Sequence, residues 1–338
     1  MKCWSALGLC VLVWGCTSEE PFYNSAPTAW RFLVLTDAPA LQLREEPGSK
    51  LLHADLYVEA NGTPMGDPPS TAVFFRNALY LLLQTAALEV LDTASYRRRA
   101  RIALPAPAAG IVFPNATTGY LWHPTTQQLS VLDLLVPTLA RSIPLEGSPR
   151  WAVAAEGQLF VLDEANSRLL VFDTRSLRVV DSLPLPPRPC TAVLRSHGSE
   201  LLVLSTGSGD DTTASAPRAP RLSFVELEPL RLLASIPVFP SAADSAHVRV
   251  TGLVATPEDF AYVGTSAGLL RVDIRTRGSV RLLQRWAVQQ LSAVPVRGEL
   301  WIVSAETPPR LIIATGTRAE VLLSAPLPEG TRAVVPIP

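Results

Sequence analysis

Side chains able to do chemistry are few in this chain of 338 residues, and they stand far apart. Gly264-Thr265-Ser266-Ala267-Gly268 matches the G-x-S-x-G pattern of an activated serine. That pattern works where a strand runs into a helix, so that a strained turn exposes the hydroxyl. Here Tyr262-Val263 precedes it and the strand-like run 269–272 follows, so a β-turn of small residues is the expected reading. Four histidines, His53, His123, His197 and His247, contain no pair at metal-ligand spacing, so no zinc site is expected. Asp210-Asp211 sits in a polar stretch without the spacing of a calcium loop. His123 opens the polar turn 123–128 directly after Trp122 and stays a candidate for ligand contact. No catalytic residue, metal or cofactor is nominated, and a non-catalytic protein is the expectation.

Composition narrows the classes further. A chain 48% hydrophobic and 17% charged can bury a large core, which excludes wholesale disorder. Basic and acidic residues number 29 and 30, and no basic run exceeds Arg97-Arg98-Arg99. Nucleic acid is therefore not an expected partner.

The first residues set an expected compartment. Met1-Lys2 precedes an apolar run over 3–13, too short to span a bilayer. Val13-Trp14-Gly15-Cys16 then resembles a bacterial lipobox, which implies cleavage before Cys16 and lipid on that cysteine. The expected division is a signal peptide over 1–15, a lipidated tether over 16–29 and one globular unit over 30–338. Cys3 and Cys10 would leave with the signal, so Cys190 would be the one free thiol and no internal disulfide is expected. Glu19-Glu20 resembles the acidic surface-export signal of some Gram-negative lipoproteins, which leaves the periplasmic and outer faces both open.

The elements that must position any site are short strands. Apolar residues alternate with period two, broken at close intervals by Gly, Pro, Ser, Asn and Asp. One unit recurs: Leu88-Glu89-Val90-Leu91-Asp92, Leu129-Ser130-Val131-Leu132-Asp133, Leu169-Leu170-Val171-Phe172-Asp173 and Leu269-Leu270-Arg271-Val272-Asp273. Weaker copies begin at Leu41, Leu222 and Leu311, which brings the number of units to seven. A period of roughly 40 to 50 residues with four strands per unit predicts the blades of a β-propeller. In the fourth unit the strands are read over 150–155, 158–163, 168–173 and 178–185. The aspartates closing the third strands, Asp92, Asp133, Asp173 and Asp273, are read as turn residues that accept backbone N–H groups. The first unit offers three strands, near 32–36, 41–44 and 54–59. The extra run 332–337 is therefore expected to complete the first blade and close the ring, removing free sheet edges. The fold class is all-β: a seven-bladed propeller of four-stranded antiparallel blades.

These units resemble the YVTN-type seven-bladed propellers. Asn61-Gly62-Thr63-Pro64-Met65-Gly66-Asp67 and Ser148-Pro149-Arg150-Trp151 resemble segments of envelope lipoproteins in that group, among them cobalamin-capturing partners of vitamin B12 transporters. The resemblance implies capture of a small molecule, a corrinoid being one such nutrient, or docking to an outer-membrane transporter, by a monomer. A scaffold for envelope assembly and a hydrolase resembling propeller lactonases are the alternatives. Propellers bind through loops at one mouth of the central channel, and Asn61, Asp67, His123, Arg150, Trp151, Asp163, Asn166, Arg188 and Trp286 are placed there. Arg150 would bind phosphate or carboxylate groups, and Trp151 and Trp286 would offer stacking area or core packing.

Overall fold

The computed structural model describes residues 30–195, 198–207, 219–239, 248–278, 280–284 and 286–337. The expected signal peptide, Cys16 and the tether lie outside the described residues, as do His197, His247 and Asp210-Asp211.

Among the described residues, twenty-eight strands form seven separate four-stranded antiparallel sheets. Blade one begins with β1 (Trp30–Thr36), β2 (Leu41–Glu46) and β3 (Lys50–His53). The helix α1 (Leu56–Asn61) leads to blade two, made of β4 (Pro69–Phe75), β5 (Ala78–Leu83), β6 (Ala87–Asp92) and β7 (Arg98–Ala103). Blade three comprises β8 (Gly110–Val112), β9 (Thr118–His123), β10 (Gln128–Asp133) and β11 (Thr138–Pro144). Blade four comprises β12 (Pro149–Ala155), β13 (Gln158–Asp163), β14 (Arg168–Asp173) and β15 (Arg178–Pro184). Blade five follows with β16 (Pro189–Leu194), β17 (Glu200–Ser205), β18 (Arg221–Glu226) and β19 (Arg231–Pro237). Blade six holds β20 (Val250–Ala255), β21 (Phe260–Thr265), β22 (Gly268–Asp273) and β23 (Val280–Gln284). Blade seven holds β24 (Val288–Val294), β25 (Glu299–Ser304), β26 (Arg310–Thr315) and β27 (Val321–Pro326). The last strand, β28 (Thr331–Pro336), pairs with β1, so the sheet order of blade one is β28-β1-β2-β3. This is a seven-bladed propeller closed by its C-terminal strand.

Burial explains why the middle strands carry unbroken apolar runs. The two middle strands of a blade pack on both neighbours, so Gln158–Asp163 is buried at every position after the first. The outermost strand faces solvent, and Arg178–Pro184 is exposed along almost its whole length. The four third-strand aspartates act as turn acceptors. Asp92 takes the N–H groups of Ala94 and Ser95 at 3.0 and 2.8 Å, and Asp273 takes those of Arg275 and Thr276 at 2.9 and 3.1 Å. Asp133 and Asp173 do the same in their own blades.

One element departs from the sequence reading. The run 54–59, expected as the third strand of blade one, lies mostly in α1, and the strand itself comes earlier as β3. Asp55 caps the helix by accepting the N–H of Val58, and Gly62 ends it at φ 70° with its N–H on the Val58 carbonyl. These caps outweigh the short apolar alternation that suggested a strand.

Candidate functional site

The innermost strand of nearly every blade carries a β-bulge at its second residue. Pairing skips Ser70 in β4, Arg150 in β12, Cys190 in β16, Thr251 in β20, Gln289 in β24 and Arg332 in β28. A bulge leaves one residue unpaired and re-aims its side chain. In blade three the strand is short, and Ala109, one residue before it, occupies the matching place with its N–H on the Trp122 carbonyl. The six bulges and Ala109 thus form a ring of seven equivalent positions at the start of the innermost strands.

A cavity of about 450 Å³ opens at this ring. Arg150, Cys190, Thr251 and Gln290 give it polar contacts, while Trp151, Leu204, Leu253 and Leu291 give it apolar wall. The Arg150 side chain is 51% exposed, and its Nε lies 3.9 Å from Glu164 Oε2. Arg188 reaches the other oxygen, Nε to Oε1 at 3.4 Å, so one carboxylate stands between two guanidinium groups. Trp122 of blade three donates its indole N–H to the Arg150 carbonyl at 3.1 Å and packs on Trp151 with ring centroids 6.0 Å apart. Gly110 makes room for Trp122, because a Cβ at that position would lie 2.1 Å from the indole Cζ2. Burial pushes the Cys190 thiol up to about 12, against the lowering effect of nearby Arg150, and Sγ–H donates to the Leu204 carbonyl at 3.3 Å. Cys190 is therefore a wall of the cavity and not a thiolate nucleophile.

Of the nine residues placed at the mouth by sequence, Arg150 and Trp151 line the cavity, and Arg188 meets Arg150 at Glu164. His123 and Asp163 instead share one structural position. Each is the last residue of its blade's second strand, matching Thr36, Leu83, Ser205, Thr265 and Ser304, and all seven are buried. That position organises the following turn in several blades. Asp163 accepts from Ser148 N, Asn166 Nδ2 and Arg168 Nε at 3.0, 2.8 and 2.9 Å. Asn166 itself is exposed and also donates to the Glu146 carbonyl. The His123 ring lies 2.9 Å from the Ala106 carbonyl through Nδ1 and 2.9 Å from Ser130 Oγ through Nε2. Burial lowers its pKa.

The other three are engaged elsewhere. Asn61 ends α1, donates to the Tyr57 and Tyr96 carbonyls and accepts the Arg98 N–H, so it ties the helix to the outer strand of blade two. Asp67 accepts from Thr85 Oγ1 and Arg101 Nη2 in the same blade. Trp286 is half-buried against the apolar cluster between blades six and seven. The Ser266 motif is a turn: Thr265 Oγ1 accepts from Ala267 N and Gly268 N, and a strand follows it instead of a helix. No group of three or more metal-ligating side chains comes together among the described residues.

Sequence reasoning missed Glu164, Cys190, Thr251 and Gln290. The signal that finds three of the ring residues is positional. Ser70, Arg150 and Cys190 each follow the proline that opens an innermost strand.

No family model and no curated protein matches this chain. Its fold is similar to solved propeller structures at low identity. One is a periplasmic gluconolactonase of Pseudomonas aeruginosa, with TM-score 0.70, 13% identity, and coverage of 92% of this chain and 99% of that one. Another is a Bacteroides fragilis protein provisionally named a 6-phosphogluconolactonase, with TM-score 0.71, 9% identity, and coverage of 94% and 100%. A third is a Lactobacillus plantarum protein, with TM-score 0.71, 14% identity, and coverage of 92% and 100%. Likeness at this identity shows the ring of seven blades. The expectation of a non-catalytic protein is corrected by these findings. Proteins named as lactonases share the ring along nearly its full length, so the lack of a familiar nucleophile motif does not argue against catalysis.

Proposed function

We propose that this propeller is a hydrolase of sugar-acid lactones, acting at the channel mouth between Arg150 and Glu164. The observation that carries the reading is a guanidinium, Arg150, that lines an open, partly apolar cavity and has the Glu164 carboxylate 3.9 Å away. A lactone offers an apolar ring face to Trp151 and a carbonyl oxygen to Arg150. The guanidinium polarises that carbonyl and stabilises the negative charge that develops on its oxygen. Glu164 accepts a proton from water as the water oxygen bonds to the acyl carbon. The acyl carbon to ring-oxygen bond then breaks, and the ring oxygen takes the proton back from Glu164. The product is the open hydroxy acid, which releases its own proton to solvent.

The likeness to structures named as lactonases supports this choice, and so does cavity size. About 450 Å³ suits a ligand of drug size or smaller, which favours a single sugar ring over a corrinoid. The lipobox-like segment Val13 to Cys16 supports a lipid-anchored protein of the cell envelope.

Turnover of glucono-1,5-lactone in a pH-stat tests the reading against the spontaneous rate. Arg150→Ala and Glu164→Gln should each lower kcat/KM by about 100-fold, the typical yield of one oxyanion donor or one general base. Wild-type protein that adds nothing to the spontaneous rate would sink the proposal.

A further inference from the structure

A second cavity, of about 600 Å³, lies beside the first on the rim of blades six, seven and one. The two share Thr251, the bulged residue of β20. They also divide a pair of consecutive residues in β24, Gln290 lining the first cavity and Gln289, the bulged one, lining the second. Each cavity falls within the ~300–1000 Å³ range of small-molecule sites, and together they reach about its upper limit.

The two walls differ in chemistry. The first mixes apolar side chains with uncharged polar ones and holds one cation, at Arg150. The second presents hydroxyls from Ser266, Thr307 and Thr331, the carboxylates of Glu306 and Glu329, and the guanidinium of Arg249. One positive charge against two negative ones gives no net attraction for phosphate or carboxylate. Closely spaced hydroxyl donors and acceptors suit the vicinal hydroxyls of an uncharged sugar, where carboxylates accept two hydroxyl protons at once. Gln289 is held in place by donating its amide to the Thr331 carbonyl at 2.8 Å, which leaves its own carbonyl oxygen to accept a further hydroxyl.

We propose that the two cavities form one elongated cleft that takes the lactone of a disaccharide acid, lactone ring at Arg150 and uncharged glycosyl unit at Glu306 and Glu329. The inference rests on the lactonase reading and names its substrate class. The bond cleaved is the same acyl carbon to ring-oxygen bond, and the glycosidic bond stays intact.

The experiment compares glucono-1,5-lactone with lactobiono-1,5-lactone, which carries one added galactosyl unit, on the purified protein. The expected result is a kcat/KM at least ten-fold higher for the longer lactone. The double variant Glu306→Gln, Glu329→Gln should bring that ratio toward one. Both residues are exposed, and a thermal melt confirms that the variant is folded. Calorimetry with lactobionate and gluconate, the two products, gives the same comparison without turnover. Equal kcat/KM values, a preference for the shorter lactone, or a ratio untouched by the double variant would overturn the elongated cleft while leaving the lactonase reading in place. Hydrolysis of neither lactone would overturn both.

Discussion

Acidification should weaken this fold through His123. Its ring is 0% exposed, and no carboxylate pairs with it among the described residues. The neutral ring is satisfied on both sides, with Nδ1–H donating to the Ala106 carbonyl and Nε2 accepting from the Ser130 hydroxyl. A proton added at Nε2 would bring an uncompensated charge into the core, so burial lowers the pKa from its ordinary 6.5. The unfolded chain therefore binds a proton near pH 6.5 that the folded chain refuses. Stability is full above pH 6.5 and is lost as pH falls below it, down to the depressed folded value. Between pH 7.5 and 5.5 the loss can reach at most about 1.4 kcal/mol, the ceiling set by full linkage of one proton. For a ring of roughly 300 residues that is a fall in Tm of about 2 °C. Thermal melts of wild type and His123→Gln over pH 5.5 to 7.5 isolate the effect, because the glutamine cannot titrate. A wild-type slope equal to that of the variant, or a stability that rises on acidification, would refute the reasoning.

Two further outcomes are expected from the packing. Gly110→Ala should push Trp122 off the Arg150 carbonyl, since the new Cβ would sit 2.1 Å from the indole. Overpacking of this kind costs about 1–3 kcal/mol, so Tm and lactone turnover should fall together. Gln290→Ala should loosen ring closure, because the Gln290 amide donates to the Val334 carbonyl at 3.0 Å and accepts the Val334 N–H at 2.6 Å. Leaving both backbone groups unpaired costs about 1–3 kcal/mol each, and amide exchange at Val334 should rise far more than exchange in blade four.

The ring was legible because the units repeat. Strands buried on both faces show themselves as runs such as Leu169-Leu170-Val171-Phe172, and turn aspartates mark where four of these runs end. Closure was legible from a surplus strand at one end and a missing one at the other. The mouth was less legible, since a bulge is a property of pairing register and leaves no residue type as its mark. Arg150 and Trp151 stood out by chemistry, but Glu164, Thr251 and Gln290 become part of a site only when seven strand beginnings meet. His123 and Asp163 misled for the opposite reason. A polar residue at the end of a second strand looks like a ligand contact in sequence, and in the folded blade it is buried and spent on neighbouring backbone and side-chain groups. Asn61 misled because the chain after β3 turns into a helix and carries it to the outer edge of blade two.

The pairing of β28 with β1 also sets a schedule for synthesis. Arg332 and Asp37, an ion pair across that seam, are separated by 295 positions in the chain. At about 5–20 residues per second a ribosome needs roughly 15 to 60 s to cover that distance. For that interval the emerging first blade shows one bare strand edge, the kind of surface that pairs with whatever strand arrives first. Neighbouring blades offer such strands in every copy being made nearby. The hazard of misassembly at this edge is therefore greatest in the nascent chain and ends when the final strand docks and covers it.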